Sequence, residues 1–265
     1  MTVMTSWDAA IVRAPAGARE DVAETELARL RRLYSHLAAQ PFLRSIVEQE
    51  FYGRIAAVSS FGAESAVILA LIAEIDPATP VIFLDTGWHF AETIDYRARL
   101  AGLLGLTNVR SVTPAAADLQ RDDRDNRLHA GDPDRCCQIR KVLPLERALV
   151  GYEAWITGRK RYHGGERSRL DVIEEVDGRI KINPLAGWTQ AQIAAEFRVR
   201  NLPLHPLVAQ GYPSIGCAPC TSEAAANDGV RSGRWIDSEK IECGIHRAKW
   251  AQPAFNAEQD SAAIG

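Results

Sequence analysis

Apolar residues recur at helical spacing through residues 20–52, with Leu27, Leu30, Leu33 and Leu37 on one stripe, so a helical layer is predicted first. The pattern then changes to short continuous apolar runs. Arg54 to Ser60 reads as a buried strand ending in small polar residues, and Val81-Ile82-Phe83-Leu84-Asp85 as a second. Asn108 to Val112 gives a third and Ala154 to Gly158 a fourth. Between them, Glu64 to Ile75 and Ala91 to Leu104 carry helical periodicity, the former closed by Pro77 and Pro80. Strands alternating with helices predict an α/β fold with a parallel sheet covered on both faces.

Residues 114–133 are polar, with Arg121-Asp122-Asp123-Arg124-Asp125 at their centre, and are expected to form a mobile surface connection. A helix over Asp134 to Val150 follows. Val172–Val176 and Arg179–Ile182 flank Asp177-Gly178 as a hairpin, and Thr189 caps a helix reaching Phe197. Regular structure is expected to thin out after Leu202. With no internal repeat or linker, one domain is the simpler reading. It comprises an N-terminal helical region (1–50), a catalytic body (51–235) and a flexible C-terminal tail (236–265).

The 265 residues carry a formal net charge of −3, so an anionic ligand must be met by local cations rather than a global basic field. This balance also argues against a nucleic-acid partner. No run approaches the roughly 18–20 apolar residues of a membrane span, and the first residues lack a secretory pattern, so a cytoplasmic protein is expected.

Five cysteines change the picture: Cys136, Cys137, Cys217, Cys220 and Cys243. An odd number without an export signal is a poor disulfide framework. The distribution suggests a four-thiolate site plus one working thiol. Cys217-x-x-Cys220 can chelate from one turn, whereas vicinal side chains on a helix diverge by about 100°. Both members of Cys136-Cys137 therefore reach one site only if it is bulky, which favours an iron–sulfur cluster over zinc. Lys141, four residues beyond Cys137, lies on the same helical face and either compensates thiolate charge or is an ordinary surface lysine.

Three further groups bear on function. The turn Ser59-Ser60-Phe61-Gly62-Ala63-Glu64 joins a strand to a helix, and backbone N–H groups there make an anion site or a plain turn. Asp85-Thr86-Gly87 follows the next strand and either lines a nucleotide crevice or caps a helix. In Glu242-Cys243-Gly244-Ile245-His246 a cysteine on a Gly-flanked tail is expected to be exposed, as a nucleophile must be, with His246 lowering its pKa. Taken alone, such a tail cysteine is more often incidental. Basic residues gather at Arg159, Lys160, Arg161 and Arg167, and at Arg231 and Arg234, where guanidinium forks match sulfate or phosphate oxygens.

Together, Cys136-Cys137 with Arg140-Lys141, the run Gly211 to Thr221, Arg231-Ser232-Gly233-Arg234-Trp235 and Glu242 to His246 resemble the assimilatory sulfonucleotide reductases, specifically the bacterial adenylyl-sulfate (APS) reductases. The resemblance covers about residues 50–246. It implies a Rossmann-like adenine nucleotide alpha-hydrolase fold, related to the ATP pyrophosphatases, and a [4Fe–4S] cluster on Cys136, Cys137, Cys217 and Cys220. It implies that Cys243 attacks the sulfur of adenosine 5′-phosphosulfate (APS), expels AMP and becomes an S-sulfonate, which thioredoxin or a glutaredoxin-like reductant from outside the chain cleaves to sulfite. Lys141, Arg231 and Arg234 then contact the phosphosulfate. Ser59, Ser60, Gly62 and Glu64 line the nucleotide crevice with Asp85, Thr86 and Gly87, and Arg161 and Arg167 match basic positions of the family's Thr-Gly loop. Two places depart from the pattern: His163-Gly164-Gly165-Glu166 stands where a Gln-Ser pair is common, and Trp88 where a basic or small residue is. Both leave the choice between a 3′-hydroxyl and a 3′-phosphate open. A reductase for 3′-phosphoadenosine 5′-phosphosulfate (PAPS), or for both nucleotides, is the near alternative, although such enzymes typically lack the four cluster cysteines. A tRNA-thiolating ATP pyrophosphatase and a non-enzymatic redox sensor are more remote. The oligomeric state, a homo-oligomer included, stays open.

Overall fold

The computed structural model describes residues 18–224 and 229–246; for residues 18–25 only the backbone is described. Six strands form one sheet in the order β3-β2-β1-β4-β6-β5: β1 (Ile55–Val58), β2 (Val81–Leu84), β3 (Val109–Val112), β4 (Ala154–Ile156), β5 (Ile173–Val176) and β6 (Arg179–Ile182). All neighbours run parallel except the β5–β6 hairpin, where Val176 pairs with Arg179 across Asp177-Gly178.

The central strands read as unbroken apolar runs because both sheet faces are buried. Alternate side chains point to opposite faces. Ile55 and Ala57 of β1, Val81 and Phe83 of β2, and Ala154 and Ile156 of β4 enter the main core. Ala56, Ile82, Leu84 and Trp155 enter a smaller core on the other side. The main core is covered by α1 (Ala18–Tyr34), α2 (Ala39–Ser45), α3 (Ser65–Ala73), α4 (Ala91–Leu104) and, later in the chain, a helix over Gln190–Val199. Of the predicted N-terminal stripe, Leu30 is fully buried, Leu27 and Leu37 pack against the core, and Leu33 stays largely exposed. α3 is buried along most of its length, so it shows no polar stripe.

The polar connection after β3 departs from expectation. It contains α5 (Ala116–Asp122) and α6 (Leu128–Gly131), and the Asp123 carboxylate is fully buried against Arg140, at 3.0 Å from Nε. An acidic run usually marks a solvated loop. Here one member is drawn inward by an arginine remote in sequence, which fastens the connection to the molecule.

The helix expected over Asp134–Val150 is present in three parts. α7 (Pro133–Cys137) is capped by Asp132, whose carboxylate accepts from the Arg135 N–H at 2.8 Å; a π-turn occupies Gln138–Val142; α8 (Leu143–Ala148) packs on the smaller core. A π-turn widens the helix by one residue and re-aims the side chains after it. It falls between the vicinal cysteines and α8 and carries Arg140 and Lys141. α9 (Gln190–Val199) begins with a reciprocal box in which Gln192 N–H donates to Thr189 Oγ1 and Thr189 N–H to Gln192 Oε1, the cap the sequence predicts. No helix among the described residues is long and apolar enough to cross a membrane.

In the order 3-2-1-4-6-5 the chain leaves β1 first to one side and later to the other. The crevice outside the carboxyl ends of β1 and β4 is therefore the topological switch point, where open parallel sheets bind ligands.

Candidate active site

A cleft of about 200 Å³ opens at that point. Its floor is the turn after β1 (Ser59, Ser60, Gly62, Ala63, Glu64) and the segment after β4 (Thr157 to Lys160, then His163 and Arg167). Lys141, Arg231, Arg234, Trp235 and the strip Glu242, Cys243, Ile245 and His246 close it from above. Residues far apart in sequence thus converge because the sheet ends there and the irregular C-terminal segment folds back over it.

On the floor, Phe61 holds a left-handed backbone (φ 50°) while its ring is fully buried against Phe83. Such a conformation is costly for a bulky residue and persists where packing fixes it. Behind it, Glu64 accepts from Lys160 Nζ at 2.8 Å, Tyr162 Oη at 2.5 Å and His163 Nε2 at 2.9 Å. Burial opposes its ionisation, but His163 and Lys160 prevail and hold its pKa at about 2. Glu64 therefore lines the cleft as a saturated carboxylate. Ser65 N–H bonds to Gly62 O, and no side chain caps the start of α3, which faces the cleft.

The roof is cationic. Arg231 and Arg234 lie 5.5 and 4.6 Å from the Trp235 ring centroid, with Lys240 at 5.8 Å on the same ring. Burial lowers the Arg234 pKa, partly offset by Cys217 and Cys220. Gly233 is demanded by close approach: a methyl there would collide with the Ser222 carbonyl, whose own N–H donates to Gly233 O at 2.8 Å. A methyl on Gly216 would likewise displace the Arg234 guanidinium. These two glycines let the segments after Gly211 and Arg231 lie against each other and set Arg234 beside the cysteines.

Cys243 is buried, which corrects the expectation of an exposed thiol on a flexible tail. Residues 236–246 dock onto the body because Ile245 packs into the smaller core, His246 stacks on Trp155 (6.2 Å, 3° between planes) and Arg167 grips Glu242. The Cys137 thiol donates to Cys243; this bond and the Lys141 ammonium outweigh burial and hold the Cys243 pKa well below the ordinary thiol value. The expected help from His246 is absent. Burial, with Arg159, Lys181, Arg167 and Arg231 around it, pushes its pKa well down and leaves it neutral. Lys141 takes that place: desolvation would lower it, but Cys217, Cys243 and Cys137 hold its ammonium well above its usual value.

Four residues expected in the cleft lie outside it. Asp85, Thr86 and Gly87 do not line it. Asp85 accepts from the Gly87 N–H, the Thr86 hydroxyl lies 3.3 Å from Cys217 Sγ, and Thr86 O accepts from Arg140 Nη1 at 2.8 Å. The strand end thus buttresses the cysteines, while Leu84, one residue earlier, reaches the cleft. Arg161 also points away, donating to Leu170 O at 2.8 Å on the outer side of its loop. Conversely, Lys160, Tyr162, His163, Glu242, Trp155 and Trp235 take part in the site or its walls. The basic character of the loop, the Arg231–Trp235 run and the Glu242–His246 run pointed to some of them.

Cys136 and Cys137 end α7, and Cys217 and Cys220 flank a tight turn anchored by Ala218 N–H to Trp88 O at 2.7 Å. Burial first and the nearby Cys217 next raise the thiol pKa of both Cys136 and Cys220, whereas Cys137 is engaged first with Cys243. Among the described residues no three His, Cys, Asp or Glu groups close on a single ion. An all-thiol donor set, drawn from two elements around one buried volume with Lys141 and Arg234 beside it, suits a polynuclear iron–sulfur group in its chemistry.

Comparison with known proteins bears on the fold and the family. Residues 54–223 match the phosphoadenosine phosphosulfate reductase domain. Curated relatives include adenosine 5′-phosphosulfate reductases of Chelativorans sp. (50% identical; 84% of this chain, 92% of that protein) and Mesorhizobium japonicum (48%; 87% and 91%). A phosphoadenosine 5′-phosphosulfate reductase of Gloeobacter violaceus is 38% identical over 84% of this chain and 94% of its own length. Among solved structures, a phosphoadenylyl-sulfate reductase from Candida auris in a phosphate complex superposes with TM-score 0.58 at 27% identity, covering 78% of this chain and 97% of that one. With a crevice at the switch point and this degree of likeness over most of its length, the chain belongs to the phosphoadenosine phosphosulfate reductase family.

Proposed function

We propose that this protein reduces adenosine 5′-phosphosulfate to sulfite and AMP, with Cys243 as nucleophile and an external dithiol as reductant. The observation that carries the reading is that Cys243 shares one cleft with Lys141, Arg231 and Arg234 at the sheet's switch point. The relatives named as adenosine 5′-phosphosulfate reductases, at up to 50% identity, support that nucleotide as substrate. The phosphate complex of the Candida auris protein supports oxyanion binding on this fold.

The nucleotide would lie over the Ser59–Glu64 turn, with its anionic end under Lys141, Arg231 and Arg234. The Cys243 thiolate attacks the sulfate sulfur, and the bond from that sulfur to the bridging oxygen breaks. AMP leaves with the electron pair, and Cys243 carries a sulfonate. Charge grows on the bridging and phosphate oxygens as this happens, so preorganised cations lower the barrier. A dithiol of the thioredoxin or glutaredoxin class then attacks Cys243 Sγ and displaces sulfite with the S–S bond pair. Its second thiol resolves the mixed disulfide, restoring Cys243 and supplying both electrons.

Cys136, Cys137, Cys217 and Cys220 would hold a [4Fe–4S] cluster. When bound, it would contribute local charge beside Lys141, while the electrons come from the dithiol. Lys141 would then face both the cysteines and the substrate anion. Replacing any of the four cysteines by serine is expected to lower iron content and activity together, from about four irons per chain in the parent protein.

Sulfite release from APS and from PAPS, assayed side by side with thioredoxin, tests the reading. Sulfite from APS supports it, and comparable rates with both nucleotides would widen the specificity. No sulfite from either would overturn it.

A further inference from the structure

Glu242 is 3% exposed and holds more partners than a tail carboxylate needs. Arg167 clamps it with Nε at 2.5 Å and Nη2 at 2.9 Å, Arg231 Nη2 approaches at 3.4 Å, and the Cys243 N–H donates to Oε1 at 2.9 Å. Burial works against its charge, yet Arg167 first and then Arg231 hold its pKa at about 2. All four residues line the cleft. The Arg167–Arg231 pair is thus filled by the chain's own anion, on the residue that precedes the nucleophile.

From this geometry we infer that Glu242 is a built-in competitor for the substrate's oxyanion: in the unliganded protein it occupies the arginine pair, and an incoming sulfate or phosphate group takes its place. The inference rests on the proposed substrate class. Two anions cannot share one buried pair of guanidinium groups without mutual repulsion. Carboxylate departure frees the Cys243 N–H, so anion binding and the setting of the Cys243 backbone become one linked event. Glu242 is a positioning residue in this account. Its charge fills the arginine pair when the cleft is empty; when the cleft fills, the carboxylate turns out of the pair while the segment keeps Cys243 at the cleft.

The effect on binding has a definite sign. A site whose open form is a minor population binds with an affinity reduced by that fraction. Removing the competing charge while keeping its size raises affinity, whereas loss of a purely structural contact lowers it.

The test uses the full chain carrying Cys243→Ser, which binds APS without turning it over. Titration calorimetry compares this protein with the Glu242→Gln, Cys243→Ser double variant. APS binding is expected to tighten about tenfold, as when an open fraction of about one tenth becomes complete. Equal or weaker binding in the double variant would overturn the inference. Should that variant fail to fold, hydrogen exchange on the Cys243→Ser protein decides instead. Saturating APS is expected to speed exchange of the amide at position 243, which loses its Glu242 acceptor, and unchanged or slower exchange there is the contrary result. Sulfite release by the unmodified enzyme keeps the two questions apart: if APS yields sulfite but neither signature is seen, only the role of Glu242 falls.

Discussion

Two ion-paired carboxylates, Glu64 half-buried and Glu242 buried, face the same cleft, and they differ in what holds them. Glu64 sits on the scaffold between β1 and α3, and Lys160, Tyr162 and His163 occupy its oxygens. Glu242 sits on the docked C-terminal segment, and its partners are Arg167 from the floor and Arg231 from the roof. Both have pKa values of about 2, so electrostatics alone does not separate them. Their anchoring does. Glu64 leaves a buried lysine behind if removed, whereas Glu242 can turn its carboxylate out of the arginine pair and leave that pair to another anion. The floor is built to stay fixed and the roof to exchange partners.

The largest expected effect of this contrast is on stability. Glu64→Ala strands the Lys160 ammonium, which is 3% exposed, and is expected to cost about 3–5 kcal/mol in urea unfolding, the range for breaking a buried pair from one side. Glu242→Ala should cost clearly less, because the detached segment lets Arg167 meet water. Equal losses would erase the distinction.

Next comes catalysis. Arg231→Ala and Arg234→Ala are expected to lose about 2–4 kcal/mol of transition-state stabilisation in kcat/KM, as when a preorganised donor is removed. Wild-type kinetics in both would place the anion site elsewhere.

The acid limb of stability sharpens the comparison. Both folded pKa values are depressed from 4.5 to about 2, so each carboxylate contributes fully above 4.5 and loses its contribution as pH falls toward 2. Each is worth at most about 3 kcal/mol by linkage. Melting between pH 5 and 2 should flatten in Glu64→Gln, and flatten less in Glu242→Gln if the docked segment opens before the body melts. A parent curve with no slope there would contradict both assignments.

The smallest effect concerns the close approach at Gly233. Gly233→Ala must move the Ser222 carbonyl and is expected to cost about 1–3 kcal/mol, as overpacking does, with a matching loss in kcat/KM through displaced Arg234. An active, fully stable variant would show that this approach is not needed.

The sheet was legible because β1, β2 and β4 bury both faces and so appear as uninterrupted apolar runs. The cap of α9 was equally plain, since Thr189 and Gln192 stand at the spacing a capping box needs. Long-range pairing was not legible. Nothing local marks Asp123 as the buried member of its acidic run, because its partner Arg140 lies 17 residues away on a π-turn. Asp85, Thr86 and Gly87 have the composition of a ligand turn but face the cysteines, an outcome set by where the turn at Cys217 docks. The tail looked free because glycine and charge flank Cys243. Its burial depends on Trp155 and Arg167, whose positions only the folded sheet supplies.

The central claim is that Cys243 takes the sulfonyl group from the nucleotide. The most direct measurement is intact-protein mass spectrometry, with peptide mapping, after mixing the enzyme with APS and no dithiol. A sulfonate on Cys243 with release of about one equivalent of AMP is the result expected of covalent catalysis, and Cys243→Ser should yield neither. A sulfonate on another cysteine, or normal turnover by Cys243→Ser, would contradict the account.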